Sequence, residues 1–215
     1  MSRTHTQTVY KFSELDGKVQ SMLIEKQQQA ASEFFDGTET VYEDAATIAA
    51  LFGLDIDTRY YKTVGGGQGH EPCIYYSGSC SQVNGACFDG AYSYRKGAVR
   101  AVKEYAPTDA TLHAIVERLQ RAQAWYLFGL TAKCKHSGHY YHSGCMQVDV
   151  ETGNDIINQS KWNDAESEVT AALRQFADWI YNQLEQVYDW ETSENQAREY
   201  LENADDEYTA DGKII

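Results

Sequence analysis

The chain has 215 residues, 42% of them hydrophobic and 13% aromatic, enough apolar material for a sizeable core and too much for a disordered chain. Its 18 Lys and Arg stand against 32 Asp and Glu, and the resulting charge of −14 opposes contact with nucleic-acid phosphates or anionic lipid, because like-signed fields repel. No apolar run approaches the roughly 18 residues of a membrane span. The N-terminal MSRTHTQTVYKFSELD lacks the apolar stretch of a secretion signal, so the expected location is the cytoplasm.

In chain order, the first predicted helix starts at Ser13, with Asp16 completing an approximate capping box and Leu15, Val19, Met22 and Leu23 at helical spacing, and runs to about Phe35. Asp36-Gly37 breaks it. Thr40 and Glu43 open a second helix through Ala46, Ala49, Ala50 and Leu51, stopped by Gly53, so the two read as a helical hairpin. From Asp55 to about Tyr94 the texture turns β-branched, aromatic and glycine-interrupted, which predicts a strand meander. The GGGQG run at 65–69 reads as a hairpin tip, since no Gly-Lys-Ser/Thr follows to make a phosphate cradle. A short basic helix is expected from Lys96 to Tyr105, ended by Pro107, and Thr108 or Asp109 caps a longer one through Leu112, Ile115, Val116, Leu119, Ala122, Trp125 and Tyr126.

After Gly129 the chain returns to strand. Over 134–150, Cys134, His136, Tyr140, His142, Met146, Val148 and Val150 share one parity, which predicts one buried face. Asn163 and Glu166 begin the strongest helical stripe, from Ala165 to Val187, and an acidic helix follows from about Ser193 to Ala204. Asp211-Gly212 predicts a small terminal hairpin. The expected fold is therefore α+β: a twisted antiparallel sheet from about 56–94 and 133–150, packed against the N-terminal helical hairpin, the central helices and a long C-terminal helix. With no linker visible, residues 1–215 are expected to form a single domain whose C-terminal third is acidic and helical.

Five cysteines, Cys73, Cys80, Cys87, Cys134 and Cys145, form no CxxC pair, which in a reducing compartment predicts free thiols. His136, His139, His142 and Cys145 recur every third residue, with Cys80 and Cys87 available from the meander. Imidazole and thiolate are zinc ligands, but a step of three on a strand alternates faces, so at most two of the series could share a site. His136, His142, Cys80 and Cys87 are the candidate ligands, and no cofactor is expected. A thiol nucleophile is the other chemical reading, with Cys87 or Cys145 activated by His142 and oriented by Asp89 or Asp149.

The charge is unevenly spread: −6 over 1–58, +4 over 59–150 and −12 over 151–215. Helices bearing carboxylates can imitate a nucleic-acid backbone and occupy the basic groove of a partner. Aromatic side chains among such charges are what interaction surfaces contain. The candidate partner-binding residues are Asp178, Tyr181, Glu185, Tyr188, Asp189, Trp190, Glu191 and Glu194.

The segments YKFSELD, VYEDAATIAALFGLDID, YYSGSCSQVNGACFDGAYSYRKGA, KEYAPTDATLH, KHSGHYYHSGCMQVDVE, RQFADWIYNQLEQVYDW and YTADGKII together resemble a family of phage and prophage proteins, some labelled antitoxin of a toxin-antitoxin stability system. GGGQG at 65–69 departs from that pattern. The resemblance carries no catalytic residues and implies an accessory protein of a mobile element in the host bacterial cytoplasm. The favoured expectation is a non-enzymatic acidic binder that neutralises a host toxin or defence protein, antitoxin-like or anti-CRISPR-like. Its partner would be a basic or nucleic-acid-binding host protein, with no direct contact to nucleic acid or membrane. The alternatives are a Cys/His or metal-dependent enzyme using the His136–Cys145 strand, and a structural phage protein that self-assembles into a homo-oligomer.

Overall fold

A computed structural model describes residues 7–63, 65–78, 84–154 and 158–215. The architecture is mixed α and β with antiparallel sheets, and its backbone contacts gather into two compact units, Met1–Thr38 with Glu185–Ile215, and Glu39–Leu184.

In the larger unit, α2 (Thr38–Phe52) leads into β1 (Leu54–Ile56), β2 (Thr58–Lys62), β3 (Gln68–Pro72), β4 (Ile74–Ser77), β5 (Gly85–Phe88) and β6 (Gly90–Ser93). Then come α3 (Ala98–Tyr105), α4 (Ala110–Trp125), β7 (Leu130–His136), β8 (Met146–Thr152) and α5 (Gln159–Glu191), whose residues from Glu185 on belong to the smaller unit. The meander is more than a row of neighbours. β1, β6, β7 and β8 form a four-stranded antiparallel sheet in that order, while β2–β3 and β4–β5 are separate two-stranded ladders.

The β1–β6, β2–β3 and β4–β5 ladders meet at three residues. Asp57 N donates to Asp89 O at 2.9 Å, Asp89 N to Cys73 O at 2.9 Å, and Cys73 N to Asp57 O at 2.6 Å, closing a ring of backbone hydrogen bonds. Each ladder starts one residue from the ring, at Ile56↔Gly90, Thr58↔Pro72 and Ile74↔Phe88. Three chain segments thus turn from one partner to the next without leaving their amides unpaired, which a buried junction requires.

Helices cover the inner face of the four-stranded sheet. Leu54, Tyr92, Ala132 and Val150 are buried in register, and Asp55, Ala91, Lys133 and Asp149 in the adjacent row are exposed, the period-two alternation of a sheet covered on one side. Phe176 of α5 packs edge-on against Phe52 and Phe88 and stacks on Trp179. The buried Gln123 of α4 acts as a strand edge: its Oε1 accepts from Leu130 N at 3.0 Å, and its Nε2 donates to Leu130 O at 2.7 Å and to Tyr92 Oη at 3.2 Å.

In the smaller unit, a 3-10 turn over Phe12–Glu14 precedes α1 (Gly17–Glu33), and α6 (Glu194–Asn203) leads to the tail. Phe12, Leu15, Leu23, Ile24, Ala197, Leu201 and Tyr208 make its core. The expected terminal hairpin is present, with Tyr208 bridged to both Tyr10 and Ile214 and Gly212 at φ 83°.

Several boundaries move for local reasons. Asp16 serves as the N-cap of α1, accepting from Lys18 N, so the helix begins after Leu15, whose ψ of 155° is extended. α2 starts at Thr38 rather than Thr40, and α5 at Gln159 rather than Asn163, where Asn158 Oδ1 accepts from Lys161 N. The expected strand over 134–150 is corrected to two. β7 and β8 pair as a hairpin whose connection, 137–145, contains a 3-10 turn over Ser143–Cys145. Gly138, at φ 113°, takes the chain out of the extended region, so Tyr140 and His142 lie off the strand.

Gly53 ends α2 at φ 90°, and a Cβ there would collide with the carbonyl oxygen of Ser93, whose own amide donates back to Gly53 O at 2.9 Å. Gly53→Ala should therefore destabilise the protein by about 1–3 kcal/mol, read as a lower urea midpoint with an unchanged m-value.

Candidate functional site

The His/Cys segment sits on the three-strand junction. Asp89 has a side chain only 8% exposed, and its carboxylate accepts from three donors: His136 N at 2.6 Å, Lys135 Nζ at 2.8 Å and Tyr75 Oη at 3.3 Å. Asp89 N is committed to the ring, so its side chain takes the His136 amide where β6 and β7 diverge. Lys135 also reaches Asp57 at 3.6 Å and so bridges two carboxylates of the junction.

Around this pair the rings of Tyr75, Tyr141 and His136 pack on one another with centroids 5.2–5.5 Å apart. Arg59 lies over the Tyr75 ring at 5.9 Å and binds Glu71 at 2.6 Å. Among the described residues, His136 Nδ1 is buried without a hydrogen-bond partner. Burial opposes the charge on Asp89, but the His136 amide, Lys135 and Tyr75 outweigh it and hold the carboxyl below its ordinary value.

The chemical readings fare unevenly against this geometry. His142 lies off the strand and uses Nδ1 to accept from Gly144 N at 2.9 Å, capping the 3-10 turn. Cys87 is fully buried, and burial, followed by Asp89 and Cys145, pushes its thiol up to about 12, so it is a protonated core residue and not an activated nucleophile. Cys134 is likewise raised to about 12 by burial, and Cys73 is raised by burial and by Asp89 and Asp57. Cys80 lies outside the described residues. Among the described residues, no three His, Cys, Asp or Glu side chains gather to hold a metal ion.

The expected acidic face is divided by its burial. Asp178 is exposed in the larger unit, where Tyr181 packs against Tyr76 at 6.1 Å. The other six residues belong to the smaller unit. There Tyr188 is used for packing, edge-on to Phe35 at 5.4 Å with its hydroxyl 2.7 Å from Ser32 Oγ. Glu194 pairs with Arg198 at 3.1 Å, a helical i,i+4 contact. Glu185 and Asp189 stand one turn apart on α5, and Asp189 is exposed.

Glu191 is the unusual member. It lies half-buried against Gly37, its pKa is raised by burial and then by the neighbouring Asp36 carboxylate, and among the described residues neither acid has a basic partner within ion-pair distance. Trp190 and Phe34, 60% and 79% exposed, are the next residues in sequence to Glu191 and Phe35. Asp36 is the residue that sequence reasoning missed. It reads there as a helix breaker, and only the packing of 35–37 on the end of α5 makes it a second carboxylate beside Glu191.

Comparison with known families finds that residues 38–194 match the model described as Domain of unknown function (DUF8835). No curated protein and no solved structure matches the chain. Among the described residues, no helix is long and apolar enough to cross a membrane.

The depressed Asp89 pKa fixes a pH dependence. A carboxyl lowered in the folded state adds stability above its unfolded value of about 3.9 and loses it as pH falls through the folded value. Urea midpoints measured from pH 6 to pH 2 should therefore fall more steeply for the wild type than for Asp89→Asn. Asp89→Ala, which strands the His136 amide, should cost about 2–4 kcal/mol at pH 7.

Proposed function

We propose, from the premise that this chain belongs to the DUF8835 family of domains of unknown function, that it is a non-enzymatic acidic binding protein that receives a basic partner on its smaller unit. The observation that carries the reading is the Asp36–Glu191 pair: two neighbouring carboxylates, one half-buried, with no basic partner among the described residues. Burial, and after it the Asp36 charge, opposes ionisation of Glu191, and a cationic side chain placed beside the two acids offsets that on binding. The exposed Trp190 and Phe34 supply the aromatic area from which interface hot spots are built.

The smaller unit contains six Lys and Arg against fifteen Asp and Glu, so its field favours a cationic partner at long range as well as in contact. The resemblance to phage and prophage proteins supplies the biological setting: a cytoplasmic accessory protein that neutralises a host toxin or defence protein by occupying its basic surface. The polar groups at the His136–Asp89 junction support a structural role there, since the Asp89 carboxylate and the Lys135 ammonium are already matched to each other.

The test is affinity capture from bacterial extract with the wild-type protein and with an Asp36→Asn/Glu191→Gln variant, the captured proteins being identified by mass spectrometry. Capture of a basic protein that falls at least tenfold between 0.1 and 0.5 M salt, and likewise falls for the variant, is the expected result. The variant should be at least as stable as the wild type, because it removes a repulsion. Capture indifferent to both salt and the substitutions would overturn the reading.

A further inference from the structure

The β2–β3 ribbon, in the larger unit, has no role in the proposed acidic contact. Among the described residues its two strands pair only with each other, and every residue of β2 is exposed. The register divides its side chains between two faces, since partners across an antiparallel ladder point the same way. One face is occupied by its own contacts. There Arg59 binds Glu71 at 2.6 Å and lies over the Tyr75 ring, and Tyr61 lays its ring across Gly69, where a Cβ would stand 2.5 Å from Cζ. The other face carries Thr58, Tyr60 and Lys62 opposite Pro72, His70 and Gln68, and all but Pro72 are exposed.

That open face has the make-up of a stacking platform. Tyr60 is 75% exposed, and its ring stands 6.4 Å from that of His70, so two neighbouring rings are open to solvent across the ladder. The face holds no acid. Glu71, the one carboxylate of the two strands, lies on the opposite face and is bound to Arg59, whereas Lys62 has no carboxylate within ion-pair distance among the described residues. An anionic ligand is therefore matched here, and a cationic one finds no counter-charge. The face also has no Leu, Ile, Val or Met to seat the apolar core of a protein interface. Rings beside a cation, with a hydroxyl and an amide at hand, match bases strung on phosphates. In a duplex the base faces are stacked away, so exposed rings select a single strand. At the tip, nothing stands within 4 Å of where a Cβ would project from Gly65 or Gly66, which leaves the approach to Lys62 clear.

We propose that the open face of the β2–β3 ribbon binds single-stranded nucleic acid, bases stacking on Tyr60 and His70 while a phosphate meets Lys62. The chain's charge of −14 opposes phosphates in general, so the contact is confined to this acid-free face and stacking supplies most of its affinity. Neutralising one phosphate of a single strand gives a slope of log K against log salt of about −0.7, far shallower than that of a protein built on phosphate contacts. The inference goes beyond the acidic-binder reading and uses none of its residues.

The test is fluorescence anisotropy on the full-length protein with three labelled 12-nucleotide probes: single-stranded oligothymidylate, an abasic strand and a duplex. The oligothymidylate should bind at least tenfold more tightly than either control. A Tyr60→Ser/His70→Ser variant, altered only at exposed side chains and checked by circular dichroism, should lose about tenfold, while Tyr60→Phe, which keeps the ring, should bind as the wild type does. Lys62→Gln should weaken binding and flatten the salt slope toward zero. Equal binding of the abasic strand or the duplex, no detectable binding of oligothymidylate, or unchanged binding by the double variant would overturn the proposal. A loss in Tyr60→Phe as large as in the double variant would assign the effect to the hydroxyl and overturn the stacking. A concentration-dependent dimer in sedimentation that the double variant abolishes would make the occupant a second copy, and equally overturn the proposal. Asp36→Asn/Glu191→Gln should leave oligothymidylate binding in place, so that failure of the ribbon and failure of the acidic pair are read separately.

Discussion

The ring of backbone hydrogen bonds through Asp57, Cys73 and Asp89 is the constraint from which the rest of the larger unit follows. Three chain segments, 54–62, 68–77 and 85–93, each change partner at one residue, and a change of partner inside a sheet ordinarily leaves an amide and a carbonyl unpaired. Closing the three residues on one another satisfies them all. It also brings the side chains of Asp57 and Asp89 within reach of one lysine. Lys135 on β7 contacts them at 3.6 and 2.8 Å, and Asp89 in turn holds the His136 amide at the end of the same strand. The junction and the end of the four-stranded sheet are therefore fastened by the same carboxylate.

Elsewhere in the larger unit, polar groups are matched in the same economical way. Asp109 caps α4 by accepting from Leu112 N at 2.9 Å, and its other oxygen accepts from the indole of Trp179 at 2.7 Å. Gln123 completes both backbone groups of Leu130. In the smaller unit one pair of acids is not matched. Asp36 and Glu191 stand together without a basic partner among the described residues, and Met22, Tyr200 and Ile214 remain open around a groove.

Much of the fold is legible in the sequence because helices and strands announce themselves by period. The stripe from Ala165 to Leu184 runs buried along α5, Asp109 and Ser193 stand at the N-caps expected of them, and the Asp211-Gly212 turn closes the tail. What periodicity could not resolve was partner exchange. The segments around Asp57, Cys73 and Asp89 read as continuous β-texture, and nothing in the residue types distinguishes a strand that keeps its neighbour from one that trades it. The continuous parity over 134–150 misled for a related reason. Residues on the two arms of a hairpin keep a common face, so Cys134, Met146 and Val150 share burial although a turn lies between them.

By itself, the amino-acid sequence determined the sign and location of the charge, the α+β class, the presence of a long C-terminal helix and the aromatic residues set among its carboxylates. These depend on composition and on neighbours a few residues apart, where the chain's own geometry dictates spacing. Tertiary structure alone decided which of those residues are spent and which are left. Tyr188 turned onto Phe35 and Ser32, His136 joined the junction at Asp89 while Cys87 went into the core, and Asp36 came to stand beside Glu191. Such outcomes turn on contacts between residues far apart in the chain, where electrostatic repulsion and burial are set by packing that no local pattern encodes.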